Sequence, residues 1–265
     1  MHIVVLVKQV PDWDIPPSSF KVDESAKKVV PPQGVAPVTS QFDAIAAEAA
    51  MRIKDGDSAN TKVTIMSMGA ATARDVIKQG LAMGADEGVL LTDAAFDDLD
   101  SYGASVVLSS AIKKLGDVDL VLTGRQAVDW DAGVTPTLIA GMLDAPVLTF
   151  GKSVSVAGGK VTVERVLPDS FETVESSLPA VVSVSNELGE PRYPKLPQIM
   201  AAGKKQVTTW AAADLGLDAG ALGAKLTLEV LYVPVVDTKV EIMAGDTPEE
   251  QAMALAKALH DAKLI

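Results

Sequence analysis

HIVVLV, residues His2 to Val7, is a short continuous apolar run, and the architecture predicted for the chain follows from it. Similar runs recur at Lys62 to Met66, Gly88 to Leu91, Val118 to Leu122 and Val181 to Val184. Strands that are apolar on both faces are typical of a parallel sheet covered by helices. The N-terminal run therefore predicts the first strand of such a sheet.

Segments with the period of helices lie between these runs, at Phe42 to Lys54, Ala71 to Met83, Tyr102 to Leu115 and Thr135 to Leu143. Strands that alternate with helices indicate βαβ units. We therefore predict an α/β fold with a doubly wound, mostly parallel sheet of the Rossmann-like or nucleotide α-hydrolase-like type.

Capping residues fit this phasing. Ser40 precedes the first helix and Asp43 follows three residues later, which predicts a capping-box-like pair. Gly84 and Gly116 follow predicted helix ends, where a residue with positive φ commonly terminates the helix.

The pattern changes after the fourth helix. Ser153 to Val156 and Val161 to Val166 alternate around Gly158-Gly159, which predicts an inserted β-hairpin. An isolated apolar run follows at Leu226 to Val236, and Thr247 with Pro248 marks the start of a helix that ends near His260. We expect residues 1–216 to form an α/β nucleotide-binding-type domain and residues 217–265 to form a C-terminal arm.

Composition excludes several classes of function. A net charge of −12 argues against nucleic acid or an anionic membrane as the main partner, since both require a basic surface. The chain has no cysteine, which excludes disulfides and Cys-ligated clusters, and its two histidines, His2 and His260, are too few for a His-based metal or catalytic site. Without a signal-like N-terminus or a run of membrane-spanning length, we expect a cytoplasmic soluble protein.

LPAVVSVSNELGEPRYPKLPQIM, Leu178 to Met200, carries a buried strand into a loop with three prolines. Pro191, Pro194 and Pro197 cannot continue a helix or a central strand, so the loop is predicted to be stiff and exposed. Stiff loops held by a rigid strand lose little entropy on binding. We therefore predict a binding loop over residues 186–200.

This stretch resembles the signature of the electron transfer flavoprotein β-subunit family, in which a strand of the LPAVV type precedes Leu, EPRY, LPxIM and a lysine-rich run. The matching residues are Leu178 to Val182, Leu188, Glu190 to Tyr193, Leu196 to Met200, Lys204 and Lys205. The resemblance implies that the loop docks flavin dehydrogenases through Leu188, with Glu190, Pro191, Arg192 and Tyr193 beside it. It also matches Glu164 and Arg165 to a hairpin pair that contacts the mobile flavin domain.

A second candidate site lies in LVLTGRQAVDWDAGVTPTLIAGML, Leu120 to Leu143, where a Gly and several polar residues separate a buried strand from a helix. Ligands bind at this position in open α/β sheets, because helix-start amides face an anion there. No GxGxxG or GxxxxGK[ST] fingerprint is present, so the spacing alone does not identify a ligand.

The same segment resembles the family's nucleotide loop, GxQAxDDDxxQTG. The nucleotide-binding residues implied are Gly124, Gln126, Ala127, Asp129, Asp131, Gly133, Val134 and Thr135, with Val7, Lys8, Gln9 and Ser40 on the facing edge. Many members hold AMP in this loop, whereas electron-bifurcating members, with DGDTAQVGP, hold a second FAD. Trp130, Val134 and Pro136 depart from both patterns; they leave AMP or no nucleotide open and argue against a second FAD.

The N-terminal VKQVPDWD resembles the family's VKRVxDY, with Trp13 at the position of Tyr. By resemblance, Trp13 and Phe42 flank the isoalloxazine ring of the partner subunit's FAD. The alternative is that both are aromatic residues that anchor surface loops.

Taken over essentially the whole chain, the resemblance implies the β-subunit of a heterodimeric flavoprotein whose FAD sits mainly on the α-subunit. Such a protein carries electrons from flavin dehydrogenases, often of the acyl-CoA type, to a membrane quinone reductase, and its arm packs on the α-subunit. It is an electron carrier subunit rather than a self-contained enzyme. The alternatives are a bifurcating β-subunit that reacts with NADH, and a stand-alone adenine-nucleotide-binding hydrolase using Asp129 and Asp131.

Overall fold

The computed structural model describes residues 1–218, 222–235 and 238–265. The strands in these residues are β1 His2–Leu6, β2 Gln9–Val10, β3 Lys21–Asp23, β4 Lys28–Val30, β5 Val38–Thr39, β6 Lys62–Met68, β7 Glu87–Leu91, β8 Leu120–Gly124, β9 Val147–Ala157, β10 Lys160–Val166, β11 Phe171–Ser177, β12 Ala180–Val184 and β13 Val207–Trp210. The α-helices are α1 Gln41–Gly56, α2 Arg74–Met83, α3 Ser101–Leu115, α4 Thr135–Leu143, α5 Leu196–Lys204 and α6 Pro248–Asp261.

Nine strands form one sheet in the order β11-β10-β9-β12-β8-β1-β6-β7-β13. Neighbouring strands from β9 to β13 in this order are parallel, while β10 is antiparallel to both β9 and β11. The predicted α/β class and mostly parallel sheet are confirmed.

The sheet is doubly wound. The chain passes from β1 through α1 to β6 and through α2 to β7, and α3 then returns it to β8 on the other side of β1. One core cluster contains Ile45 of α1 and Ile77 of α2, and the other contains Ile112 of α3 and Ile139 of α4. Helices therefore cover both faces of the sheet, which explains why its strands read as continuous apolar runs.

The predicted helix ends and hairpin turn are confirmed. Gly84 and Gly116 terminate α2 and α3 with φ of 131° and 66°. Gly158 and Gly159 turn between β9 and β10 with φ of 58° and 76°. The structure adds β11 beyond the predicted hairpin. Its sequence, FETVESS, is polar because the strand is largely exposed, so it carried no apolar signal.

The chain divides into two compact units. The first, Met1–Lys21 with Val29–Glu229, contains the nine-stranded sheet. The second, Val22–Lys28 with Val230–Ile265, contains α6, whose predicted start is confirmed because the Thr247 side chain accepts a hydrogen bond from the Glu250 N–H at 3.2 Å.

The predicted C-terminal apolar run can be compared with the structure only in part, because one of its residues lies outside the described part of the chain. The described part of the apolar run Leu226 to Val236 forms no strand, and Val236 itself lies outside the described residues, as do residues 219–221. The division into a domain of residues 1–216 and an arm of residues 217–265 remains a prediction. Among the described helices, none combines the length and apolar character that crossing a membrane requires.

Candidate functional site

The candidate site lies where β1 and β8 run side by side. The chain leaves β1 toward β6 on one side and enters β8 from β7 on the other, so the strand order reverses between β1 and β8. Open α/β sheets bind ligands at such a topological switch point, outside the carboxyl ends of the strands. The predicted segments 7–9 and 124–135 follow these two strands, and the structure brings them together.

Asp43, in the first turn of α1, joins the two strand ends. Its Oδ2 accepts a hydrogen bond from the Lys8 N–H at 2.9 Å, and its Oδ1 accepts one from the Gly124 N–H at 3.1 Å. The side chain is buried. One carboxyl group thus satisfies the amide of Lys8, two residues beyond β1, and the last amide of β8, and it links the two strand ends at the switch point.

The environment of Asp43 differs from that of a helix cap. Burial raises the pKa of Asp43 to about 7, although the backbone N–H groups of Lys8 and Gly124 lower it. The predicted capping-box pair with Ser40 is wrong, because Ser40 makes no side-chain cap bond and Asp43 faces the strand ends. Ser40 is fully buried, and its Oγ accepts from the Val128 N–H at 3.4 Å.

Gly124 is required by the close approach of α1. A Cβ at this position would lie 2.5 Å from Oδ1 of Asp43 and 2.6 Å from Cβ of Phe42. No side chain fits in this space. The glycine of the predicted nucleotide loop is therefore explained by packing of the strand end against the helix.

Polar side chains of the loop after β8 pair with one another or with the segment that follows β1. The Lys8 ammonium lies 2.7 Å from Oδ2 of Asp129, and Nε2 of Gln126 donates to Oδ1 of Asp131 at 2.8 Å. The Asp131 N–H also donates to the carbonyl of Ala127 at 3.0 Å. Both acidic residues proposed for a hydrolase are thus engaged in holding the loop.

No side chain caps the start of α4. Val134 occupies the N-cap position and supplies no side-chain acceptor, and Pro136 in the first turn has no N–H. The N–H groups of Thr135 and Thr137 lie in the first turn, where a helix offers them no acceptor. Gly133 leads the chain into this turn with φ of 64°, in the left-handed region that favours glycine.

Trp130 and Val134 stand at the surface of the same loop, with 55% and 47% of their area exposed. The structure thus places two of the three residues that depart from the family patterns on the solvent side of the site. The third, Pro136, is buried.

Two residues predicted from the β1 edge have other contacts. Val7 is buried, and its N–H donates to the carbonyl of Met66 at 2.9 Å. The Gln9 amide exchanges two hydrogen bonds with Thr72, at 2.9 and 2.7 Å. The side chain of Gln9 is therefore directed to the segment that precedes α2, away from the loop after β8.

Arg125 was missed by the sequence analysis. Its guanidinium lies 4.8 Å from the centre of the Phe42 ring and donates to Oγ of Ser185 at 3.3 Å, while its Nε is buried without a hydrogen-bond partner among the described residues. Arg125 thereby links the ends of β8 and β12. The nucleotide-loop pattern leaves this position unspecified, and a basic residue after a strand carries no distinctive signal.

The two predicted flanking aromatics occupy different surroundings. Trp13 is 46% exposed and lines an open cleft of about 410 Å³ together with Val38, Gln41 and Pro191. Phe42 instead packs under Arg125 and against Gly124. The structure does not place both rings in one cleft.

Leu188 is buried in this conformation. It closes a short 3-10 turn after β12, is only 7% exposed, and belongs to the core cluster beneath α1. Docking through Leu188 stays a prediction, and insertion into a partner's pocket would require this side chain to leave the core. Tyr193, by contrast, is 94% exposed, and Leu196 and Met200 on α5 are 69% and 64% exposed.

Glu164 and Arg165 lie on β10, near the far edge of the sheet. Glu164 pairs with Lys152 at 3.2 Å, and Arg165 pairs with Glu172 at 2.9 Å. Arg165 also donates from Nε to the carbonyl of Thr149 at 3.0 Å. Two strands, β9 and β12, separate this pair from β8.

Among the described residues, no group of three or more His, Asp or Glu side chains is arranged to hold a metal ion.

Comparisons with known proteins agree with this architecture. Residues 27–215 match the electron transfer flavoprotein domain. The chain is 39% identical over 253 residues to the electron transfer flavoprotein subunit beta of Thermoanaerobacterium thermosaccharolyticum, covering 94% of each chain. It is 32% identical over 262 residues to the corresponding subunit of Megasphaera elsdenii, covering 96% of this chain and 95% of the other.

A further relative, from Acetobacterium woodii, is the caffeyl-CoA reductase-Etf complex subunit CarD, which is 35% identical over 268 residues with 100% of both chains covered. Sequence matches of this extent agree with the doubly wound sheet. The chain belongs to the electron transfer flavoprotein family, as a β-subunit.

Proposed function

We propose that this chain is the β-subunit of a cytoplasmic, heterodimeric electron transfer flavoprotein that passes electrons from acyl-CoA-type flavin dehydrogenases to a membrane quinone reductase. The family is associated with flavin and its β-subunits pair with α-subunits. In our proposal, the FAD is held mainly by the α-subunit. The β-subunit supplies a rigid scaffold, a flank for the flavin and a surface for dehydrogenases.

The observation that carries this proposal is that the carboxylates at the switch point are already engaged with other groups of the chain. Asp43 binds the amides of both strand ends, and Asp129 is paired with Lys8. A hydrolase would require a free base or nucleophile facing its substrate. The paired carboxylates instead favour a site that holds a ligand and neighbouring loops in place.

The exposed C-terminal residues support a contact with the α-subunit. Val235, Val240 and Ile242 are 96%, 84% and 85% exposed, and Met253 on α6 is 70% exposed. Exposure of many large apolar side chains in one segment is consistent with a region that a partner covers. We assign this surface to the α-subunit.

AMP fits the start of α4 in this proposal. The uncapped amides of Thr135 and Thr137 would hold its phosphate. When bound, AMP would supply an anion that neutralises the helix start, and it would take no part in electron transfer. Trp130 and Val134, both exposed at this loop, would instead meet the bulk of a second flavin.

A bifurcating role is the second candidate, and the relative from Acetobacterium woodii favours it. That protein is named as a subunit of a reductase-Etf complex, and it is similar to this chain along its whole length. A bifurcating β-subunit would carry a second FAD in the loop after β8 and would react with NADH. Trp130, Val134 and Pro136 argue against that assignment.

One experiment separates the two candidates. The chain would be co-expressed with its α-subunit, and the flavins and adenine nucleotides released by denaturation would be counted per heterodimer. One FAD, with AMP or no nucleotide in the second site and no reduction by NADH, is expected. Two FAD per heterodimer with reduction by NADH would reject the proposed carrier and establish the bifurcating alternative. A matched Trp130→Gly variant tests whether the indole excludes the second flavin.

A further inference from the structure

We propose that Glu48 of α1 and Arg192 are a positioning pair that fixes the segment 188–193 on α1 and so sets the surface offered to a dehydrogenase. The second part of this inference, that the pair sets the surface offered to a dehydrogenase, rests on the proposed function. The first part, that the pair determines where the segment lies, depends only on the contacts described below.

Glu48 is a nearly buried carboxylate that accepts hydrogen bonds from Arg192 in this segment. Its side chain is 6% exposed, and Oε2 accepts from both the backbone N–H of Arg192 at 3.0 Å and its Nε at 2.8 Å. Oε1 accepts from Nη2 of Arg192 at 3.3 Å. A carboxylate and a guanidinium in this fork-like arrangement form the stronger class of hydrogen bonds.

Neighbouring residues of the same helix extend the attachment. Arg52 donates from Nε to Glu48 at 2.9 Å and from Nη1 to the carbonyl of Leu188 at 2.9 Å. Asp55 accepts from Nη2 of Arg192 at 2.8 Å. Contacts from α1 therefore hold both ends of the short segment from Leu188 to Arg192.

The charges of the pair are stabilised by one another. Burial raises the pKa of Glu48, but the hydrogen bonds from Arg192 and Arg52 lower it by more than burial raises it. The pKa of Glu48 is therefore below its usual value. Hydrogen bonds to Glu48 and Asp55 raise the pKa of Arg192. Both groups are charged at neutral pH, and removal of Arg192 would leave the nearly buried Glu48 with Arg52 as its remaining ion-pair partner among the described residues.

The attachment explains which residues of the loop face outward. With Leu188 held in the core and Arg192 on α1, Glu190 and Pro191 line the cleft that contains Trp13. Tyr193 then projects almost fully into solvent. Prolines limit the conformations of the loop, but they do not select this one. The buried carboxylate on α1 supplies the selection.

The test uses the co-expressed heterodimer with Glu48→Gln, Arg192→Lys and the double variant. Gln retains the shape of Glu48 without its charge, and Lys cannot reproduce the forked contact of Arg192. Glu175→Gln is the matched control, because it removes the same charge from an exposed pair with Lys160 on a distant strand. Hydrogen exchange of the amides in residues 188–193 is measured by mass spectrometry.

We expect these amides to exchange at least about tenfold faster in each single variant, since hydrogen bonds to charged groups contribute that much or more. The double variant should be little faster than either single one, because both break the same contact. Glu175→Gln should match the parent. Unchanged exchange in Glu48→Gln would overturn the positioning role.

The second readout is reduction of the heterodimer by a purified medium-chain acyl-CoA dehydrogenase with octanoyl-CoA. The apparent KM for the flavoprotein should rise about tenfold in Glu48→Gln, while kcat and FAD content stay within about twofold. Faster exchange with unchanged KM would reject the link to docking. If the parent heterodimer is not reduced at all, the proposed function and the docking role fail together, and the exchange data still decide whether the pair positions the segment.

Discussion

Replacement of Asp43 by Ala removes the acceptor shared by the two central strand ends. The amides of Lys8, which is partly buried, and of Gly124, which is buried, would both lose the side-chain acceptor that the structure gives them. Each buried unsatisfied N–H costs about 1–3 kcal/mol, so the free energy of unfolding should fall by about 2–6 kcal/mol. This is a large part of the stability of an ordinary domain.

Hydrogen exchange reports this loss at the two amides concerned. At about 1.4 kcal/mol for each factor of ten, exchange of the Lys8 and Gly124 amides should accelerate about 5-fold to about 150-fold. Asp43→Asn is the intermediate case, because one of its side-chain oxygens remains to accept while the other is replaced by an NH₂ group. Urea unfolding of the co-expressed heterodimer provides the overall stability.

Asp75→Ala serves as the matched control. Asp75 also lies in the first turn of a helix but is exposed and makes no hydrogen bond that joins strands. Its loss should change stability by less than about 0.5 kcal/mol. If Asp43→Ala left the exchange of both amides and the urea midpoint as in the parent, Asp43 would not be the link between the strand ends.

Three further outcomes are expected. Burial raises the pKa of Asp43 from 3.8 to about 7, so its protonated form stabilises the fold below about pH 4 and this contribution is lost as the pH rises through 7. The difference in free energy of unfolding between the parent and Asp43→Asn should therefore decline over this range. A difference that does not change with pH would contradict the argument. Gly124→Ala should prevent accumulation of folded heterodimer, since its Cβ would lie 2.5 Å from Asp43, and a soluble variant with parental melting temperature would disprove the packing argument. Leu188→Ala should lower stability by about 2–5 kcal/mol through a core cavity, whereas Tyr193→Ala should leave the melting temperature unchanged, and the reverse pattern would restore Leu188 as the exposed anchor.

Much of the sheet could be predicted from the sequence because its central strands are buried on both faces. Each of the five predicted strand runs overlaps an observed strand, and the four helix segments match α1 to α4 within a few residues. The antiparallel edge was harder to predict. β11 is exposed and polar, so neither alternation nor apolar content distinguishes it from a loop.

The position of the candidate site could be predicted from chain topology, but the contacts of its side chains could not. Glycines and polar residues after β8 indicated where a ligand site would form, and the structure brings them to the ends of β1 and β8. The direction of individual side chains did not follow. Asp43 at a helix start suits either a cap or a buried link, and only the position of β8 decides between them. Glu48 likewise looks like any acidic residue of an exposed helix until Arg192 is placed against it.

Leu188 shows how this limit affects functional reasoning. A leucine beside EPRY was expected to reach outward, yet it follows a fully buried strand, and the Arg52 guanidinium holds its carbonyl on α1. An outward swing of Leu188 would require breaking that contact and exposing a core side chain, which costs about 1.5–3 kcal/mol. A partner that binds the observed conformation avoids this cost by contacting Tyr193 and the exposed face of α5. Docking through the exposed residues is therefore favoured unless a dehydrogenase pocket repays the exposure of Leu188, and comparison of Leu188→Ala with Tyr193→Ala distinguishes the two routes.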